Sequence, residues 1–91
     1  MTQAEQEQYF FTELTKGETL CKEGPAHYSE AAFHFLNALK VYPNPQELLS
    51  LLQRTVPQQV YAELVNLLQM EARIFSLFFS ISSHLTWIFI L

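Results

Sequence analysis

The hydrophobic positions of this sequence recur at helical spacing in four successive segments, of which the first spans about residues 5–21. One face of this segment is formed by residues at i, i+4, i+7 and i+11, namely Phe10, Leu14, Gly17 and Cys21. Phe10 and Phe11 are adjacent and cannot both point into one narrow seam, so we expect one to pack inward and the other to lie near the surface. A glycine inside a helix lowers helix stability by about 1 kcal/mol relative to alanine. We therefore expect another helix to approach closely at Gly17.

The second helical segment covers residues 28–41 and follows a turn. Gly24 suits the C-cap of the first helix, and Pro25 prevents that helix from continuing. The apolar stripe of the second segment includes small residues that allow close packing: Ala31, Ala32, Phe35, Leu36, Ala38, Leu39 and Val41. Together the two segments predict an antiparallel helical hairpin.

Two prolines mark the corner between the second and third helices. Pro43 disfavours the helical conformation at the residue before it and so ends the second helix. Pro45 suits the first turn of a new helix, and Asn44 before it is a good N-cap. The third helix is therefore predicted over about residues 45–54, and the fourth from residue 57 to at least residue 70.

The third helix carries more leucines than one core face needs. Four of them fall within five positions: Leu48, Leu49, Leu51 and Leu52. Unless another element covers them, some of these side chains are expected to be exposed and available for binding.

Length and charge narrow the functional class. Ninety-one residues allow one small domain. The net charge is −4 and the five basic residues are scattered, which argues against nucleic-acid binding and favours cationic partners. No pattern typical of an enzyme, a metal site or a cofactor site is present, because the three histidines are far apart and the two glycines form no phosphate-binding loop. We therefore predict a binding protein without enzymatic activity, metal or cofactor.

The segment of residues 74–91 is uncharged and mostly apolar, but four serines, a threonine and a histidine interrupt it. It is at the short end of the roughly 17–25 residues that a membrane-spanning helix needs. Three interpretations stay open: translated non-coding sequence from a faulty gene model, a C-terminal membrane anchor, or an extra element packed on the groove or on a partner.

One continuous motif carries a family resemblance. Residues 38–49, Ala-Leu-Lys-Val-Tyr-Pro-Asn-Pro-Gln-Glu-Leu-Leu, are followed by Thr-Val-Pro at 55–57 and preceded by Phe10-Phe11 and Gly17-Glu18. Over about residues 7–70 the chain resembles the Tom20 family of mitochondrial import receptors, especially its fungal members. The resemblance implies an all-α domain of four helices, at residues 5–72, that contains a single hairpin like a tetratricopeptide repeat, with the apolar tail 74–91 unmatched.

The resemblance also implies a function. Receptors of this family, in the translocase of the mitochondrial outer membrane, bind basic amphipathic presequences with the apolar face of the peptide in a shallow groove. The expected partners are presequence peptides and other translocase subunits, and the expected location is that membrane, with the receptor domain facing the cytosol. Family members carry an N-terminal membrane anchor, whereas this chain begins at Met1 directly before the matched region, so we expect that anchor to be absent here.

By the same resemblance, the groove lies between the first and third helices. Its apolar walls are carried over to Phe10, Phe11, Leu14, Leu48, Leu51, Leu52 and Thr55. Its polar rim is carried over to Glu18, Asn44, Gln46 and Glu47.

Two other functions stay open. One is a helical adaptor that binds another class of peptide, such as an acidic chaperone tail. That function needs a cluster of basic residues that binds carboxylates, and Lys16 and Arg54 alone would supply few basic groups for it. The other is a small membrane-anchored structural subunit whose active part is the segment 74–91.

Overall fold

A computed structural model describes residues 1–71, so the interpretations of the segment 74–91 lie outside the described residues. The described part is all-α, as predicted. Its helices are α1 (Gln3–Glu23), α2 (Tyr28–Val41), α3 (Pro45–Thr55) and α4 (residues 58–71), with a short 3₁₀ helix (Pro25–His27) before α2. Within residues 1–71, no helix is both long and apolar enough to cross a membrane.

The helix ends follow the local chemistry of the sequence. At the start of α1, the Thr2 hydroxyl accepts a hydrogen bond from the backbone N–H of Glu5 (3.1 Å), and the Glu5 carboxylate accepts one from the N–H of Thr2 (2.8 Å). Gly24 ends α1 with φ at 111°, a conformation that favours glycine. The Asn44 side chain accepts a hydrogen bond from the N–H of Glu47 (3.3 Å), which confirms it as the N-cap of α3.

The hairpin of α1 and α2 is held together by a close contact at Gly17. This residue is buried, and a Cβ atom placed on it would lie 2.7 Å from the ring of Phe35. Phe35 is fully buried, so the ring fills the space that a side chain at position 17 would need. The predicted close approach of a second helix is confirmed.

The core is built around α2, with contributions from α3 and α4. Its buried apolar residues are Ala31, Ala32, Phe35, Leu36, Ala38, Leu39, Leu48, Leu52, Val60 and Leu64. Residues from the end of α1 and from the end of α3 line a common cavity beside this core.

One charged residue is also buried between α1 and α2. The Glu13 carboxylate accepts a hydrogen bond from Asn37 Nδ2 (2.6 Å) and lies 3.2 Å from His34 Nδ1. Lys16 Nζ is 3.7 Å from its other oxygen. Burial by itself would raise the pKa of Glu13, but the bonds from Asn37 and His34, with the charges of His34 and Lys16, outweigh it and hold the pKa below its ordinary value.

Candidate functional site

Two cavities lie along α1, one beside the end of α3 and the other beside the corner that joins α2 to α3, and we call the surface that contains them the α1–α3 groove. At the end where both helices finish, the cavity has a volume of about 200 Å³. It is lined by Glu18, Cys21 and Lys22 from α1, by Leu52, Thr55, Val56 and Pro57 at the end of α3, and by Phe35 from α2. Since Phe35 and Leu52 are buried core residues, the floor of this end of the groove is the hydrophobic core itself.

At the other end, the groove is wider and aromatic. A cavity of about 590 Å³ lies between the start of α1 and the corner that joins α2 to α3. Its lining residues are Gln3, Gln6, Glu7, Phe10, Phe11, Val41, Tyr42 and Pro43. The ring of Phe10 lies 5.3 Å from that of Phe11, edge to face, and 5.0 Å from that of Tyr42.

The two phenylalanines take the different positions that adjacency on a helix predicted. Phe10 is half-buried and packs against the core, whereas Phe11 is 60% exposed. Leu14, one turn further along α1, is half-buried and also contacts the core. Phe11 is therefore the largest exposed apolar side chain on this part of α1, whereas Leu14 lines neither cavity.

Of the three α3 leucines predicted for the groove, only Leu51 is exposed, and it lines neither cavity. Leu48 and Leu52 are each 3% exposed and belong to the core, whereas Leu51 is 46% exposed. Thr55 is exposed, and its hydroxyl donates a hydrogen bond to the carbonyl oxygen of Leu51 (3.0 Å). The hydroxyl is therefore satisfied within the helix, and the side chain can present its methyl group at the groove.

The four polar residues carried over to the rim are all exposed, but they lie in different places. Glu18 lines the groove. Asn44 and Glu47 bond to each other at the start of α3, with Asn44 Nδ2 3.3 Å from Glu47 Oε2. Gln46 lines a separate apolar cavity of about 360 Å³ between α2, α3 and α4, together with Leu49 and other residues.

Several residues that line the two cavities were not predicted for the site, and Glu7 and Tyr42 are two of them. Glu7 stands four positions before Phe11 and eleven before Glu18, so helical periodicity could have placed it on the same face. Tyr42 precedes Pro43 at the corner, and its contact with Phe10 depends on how α1 packs against that corner, which no local pattern encodes.

The remaining chemistry of the groove favours binding over reaction. Burial raises the pKa of the Cys21 thiol and the neighbouring charge of Glu18 adds to the effect, so the thiol stays protonated and is a poor nucleophile. Lys16, considered for a basic clamp, lies beside Glu13 and away from the groove linings. Among the residues that the structure describes, no cluster of three metal-ligating side chains is present.

Comparison with known proteins gives a consistent result. Residues 1–76 match the family model described as "MAS20 protein import receptor". The chain is 37% identical over 62 residues to the mitochondrial import receptor subunit TOM20 of Saccharomyces cerevisiae, covering 68% of this chain and 33% of that protein. It is 37% identical over 59 residues to tom20 of Neurospora crassa, covering 65% and 32%. It is 36% identical over 59 residues to TOM20 homolog B of Danio rerio, covering 65% and 39%.

The chain thus spans about a third of the length of the curated relatives it matches, since 33%, 32% and 39% of those proteins are covered. No solved structure matches the chain.

Proposed function

This chain belongs to the MAS20 protein import receptor family, a family of receptors and not of enzymes, and from that premise we propose that its α1–α3 groove binds mitochondrial presequences. The peptide would lie in the groove as a basic amphipathic helix, with its apolar face toward α1 and α3. The proposal takes residues 5–72 as the receptor domain. Its setting is the translocase of the mitochondrial outer membrane, where the domain faces the cytosol and works with other translocase subunits.

The observation that carries the proposal is the pair of exposed apolar side chains on the two walls. Phe11 is 60% exposed and Leu51 is 46% exposed, although the core beneath them is complete without either. Large apolar groups left exposed beside a cavity are typical of a peptide-binding surface, and Phe11 lines the wide aromatic cavity. The carboxylates of Glu7 and Glu18, each in a cavity at one end, suit a ligand that carries positive charge.

The energetics favour weak, reversible binding through apolar contact. Full burial of a phenylalanine side chain is worth about 1.5–3 kcal/mol. Since Phe11 is already partly covered, its burial by a ligand would contribute about 1–2 kcal/mol, which corresponds to roughly a ten-fold change in affinity. The carboxylates at the ends would contribute less to affinity and more to the rate and orientation of encounter.

The test compares two variants of the groove with one matched control in the 91-residue chain. Phe11→Ser and Leu51→Ser remove exposed apolar groups from the two walls. Phe33→Ser removes an equally exposed phenylalanine (53%) from α2, where it lines neither groove cavity. Each protein is titrated into a fluorescently labelled basic amphipathic presequence peptide, and anisotropy is recorded.

We expect roughly ten-fold weaker binding for Phe11→Ser, a smaller loss for Leu51→Ser, and no change for Phe33→Ser, with helical circular dichroism kept in all three. A folded wild-type chain that does not bind the presequence would refute the proposal. An equal loss in Phe33→Ser would place the binding surface elsewhere. A second titration with an acidic C-terminal peptide tests the adaptor function, for which binding of that peptide and not of the presequence is the diagnostic result.

A further inference from the structure

Four residues of α1 form one stripe along the helix, and three of them, Glu7, Phe11 and Glu18, line the groove cavities. Glu7, Phe11, Leu14 and Glu18 stand at i, i+4, i+7 and i+11, so they lie one above another on the same helix face. The two apolar residues occupy the middle of the stripe, and a carboxylate stands at each end. At a rise of about 1.5 Å per residue, the two carboxylate-bearing residues are about 16.5 Å apart along the helix axis.

The cavities confirm that both ends of this stripe face the groove. Glu7 lines the wide aromatic cavity at the start of α1, and Glu18 lines the narrow one at the end of α3. Both residues are exposed, so a ligand can reach either carboxylate.

These two carboxylates are also free to bind a ligand, unlike most others in residues 1–71. Six glutamates there have polar partners: Glu5 with Thr2, Glu13 with Asn37 and His34, Glu23 with His27, Glu47 with Asn44, Glu63 with Ser29, and Glu71 with Lys40. Glu7, Glu18 and Glu30 have none within the same residues, although Lys22 lines the cavity beside Glu18. Glu30 lies on α2 in a separate cavity with Thr15 and His34, outside the groove.

We propose that Glu7 and Glu18 form a two-point gauge that selects peptides whose basic residues stand eleven positions apart. This inference rests on the proposed function and specifies which presequences the groove prefers. The complementary ligand is a helix with the order basic, apolar, apolar, basic at i, i+4, i+7 and i+11. Its two cations meet Glu7 and Glu18 while its two apolar side chains meet Phe11 and Leu14.

The spacing has a symmetry that bears on orientation. Read from either end, the intervals along the stripe are four, three and four residues. A helical peptide therefore presents the same complementary order whether it runs parallel or antiparallel to α1. The gauge sets the register of the peptide along the groove, and it leaves the direction of the peptide to other contacts.

The test uses two peptides of identical composition, net charge and mean hydropathy. In the matched peptide, basic residues occupy positions i and i+11, with leucines at i+4 and i+7. In the mismatched peptide, the residues at i+7 and i+11 are exchanged, so the cations stand seven apart. Both are titrated against the wild-type chain and against Glu7→Gln, Glu18→Gln and the matched control Glu30→Gln, at low and at high salt.

The wild type should bind the matched peptide about two- to five-fold more tightly than the mismatched peptide. This is the range of affinity change that exposed charge pairs provide. The preference should disappear in Glu7→Gln and in Glu18→Gln, persist in Glu30→Gln, and shrink at high salt. Equal binding of both peptides by the wild type would refute the selection by spacing but not the presequence-binding function. An equal effect of all three variants would have the same meaning, because it would show that only the net charge of the protein matters. A folded wild type that binds neither peptide would refute the receptor and the gauge together.

Discussion

Replacing Gly17 by alanine tests the contact on which the α1–α2 hairpin is built. An added Cβ would lie 2.7, 2.8 and 2.9 Å from the Cε1, Cζ and Cδ1 atoms of Phe35. Carbon atoms in proteins are at their optimal separation at about 3.5–4.0 Å, so the ring or the helix would have to shift by most of an ångström. Phe35 is fully buried in the core, so a shift of its ring disturbs the core residues packed around it.

Two opposing effects set the size of the change. Alanine in a helix interior raises the free energy of unfolding by about 1 kcal/mol relative to glycine. Overpacking of a filled core costs typically about 1–3 kcal/mol. We therefore expect Gly17→Ala to lower the free energy of unfolding by about 1 kcal/mol, where an open helix position would show a gain of similar size. For a domain of this size that loss corresponds to a fall in Tm of about 4–8 °C.

The assay is urea unfolding followed by circular dichroism at 222 nm, with Phe35→Leu as the partner variant. Phe35→Leu removes the outer ring atoms that clash, so Gly17→Ala should be neutral or stabilising in that background, with a coupling free energy of about 1–3 kcal/mol. If Gly17→Ala stabilises the otherwise unchanged chain by about 1 kcal/mol, the ring does not occupy this space. If it destabilises Phe35→Leu as much as the parent, the cost arises elsewhere.

Three further predictions concern the scaffold. The pKa of Glu13 is held below its ordinary value, so its contribution to stability is present above the pKa of the unfolded carboxyl and is lost as pH falls through the lowered folded pKa. The free energy of unfolding should therefore drop on acidification below about pH 4.5. Urea titrations at several pH values should show a less steep drop for Glu13→Gln. Asn44→Ala should lower the free energy of unfolding by about 1 kcal/mol by removing the N-cap of α3, which thermal melts would detect, whereas Asn44→Ser should keep most of the capping stability. Gly24→Ala should cost about 1 kcal/mol through its φ of 111° and not through contact, since nothing lies within 4 Å, so no core substitution should rescue it in the same melts.

Most of the scaffold could be predicted from short-range chemistry. Proline, glycine and asparagine act on the residues beside them, so Gly24, Pro43, Asn44 and Pro45 determine where the helices end and begin whatever the rest of the chain does. The 28–41 prediction for α2 agrees with the observed helix for this reason. Gly17 was informative because a glycine within a helix is costly unless the site has no room for a side chain.

Which leucines of α3 are buried and which are exposed could not be predicted in the same way. Four leucines in five positions surround the helix, so periodicity does not distinguish the side that faces the core. The structure buries Leu48 and Leu52 against α2 and leaves Leu51 exposed. That choice depends on the angle at which α3 leaves the corner, which is a property of the whole packing.

Glu13 was missed for a different reason. Charged residues are almost never fully buried, so the pattern of hydrophobic and polar positions predicts that a glutamate lies outside the core. Its position three residues after Phe10 and four before Gly17 puts it on the face of α1 that meets α2. Burial becomes acceptable because Asn37 and His34 on α2 supply hydrogen bonds, a pairing that can be recognised only when the two helices are set side by side.

The position of Phe35 has a consequence for how this domain can change. One ring fills the space at Gly17, completes the core and forms the floor of the narrow end of the α1–α3 groove. A substitution there would alter the helix packing, the stability and the shape of this cavity at once. Phe11 and Leu51 are exposed and contribute little to the core, so a substitution at either position changes the surface without disturbing the packing of the helices. The fold therefore depends on the residue at the floor of the groove and tolerates change at these exposed positions.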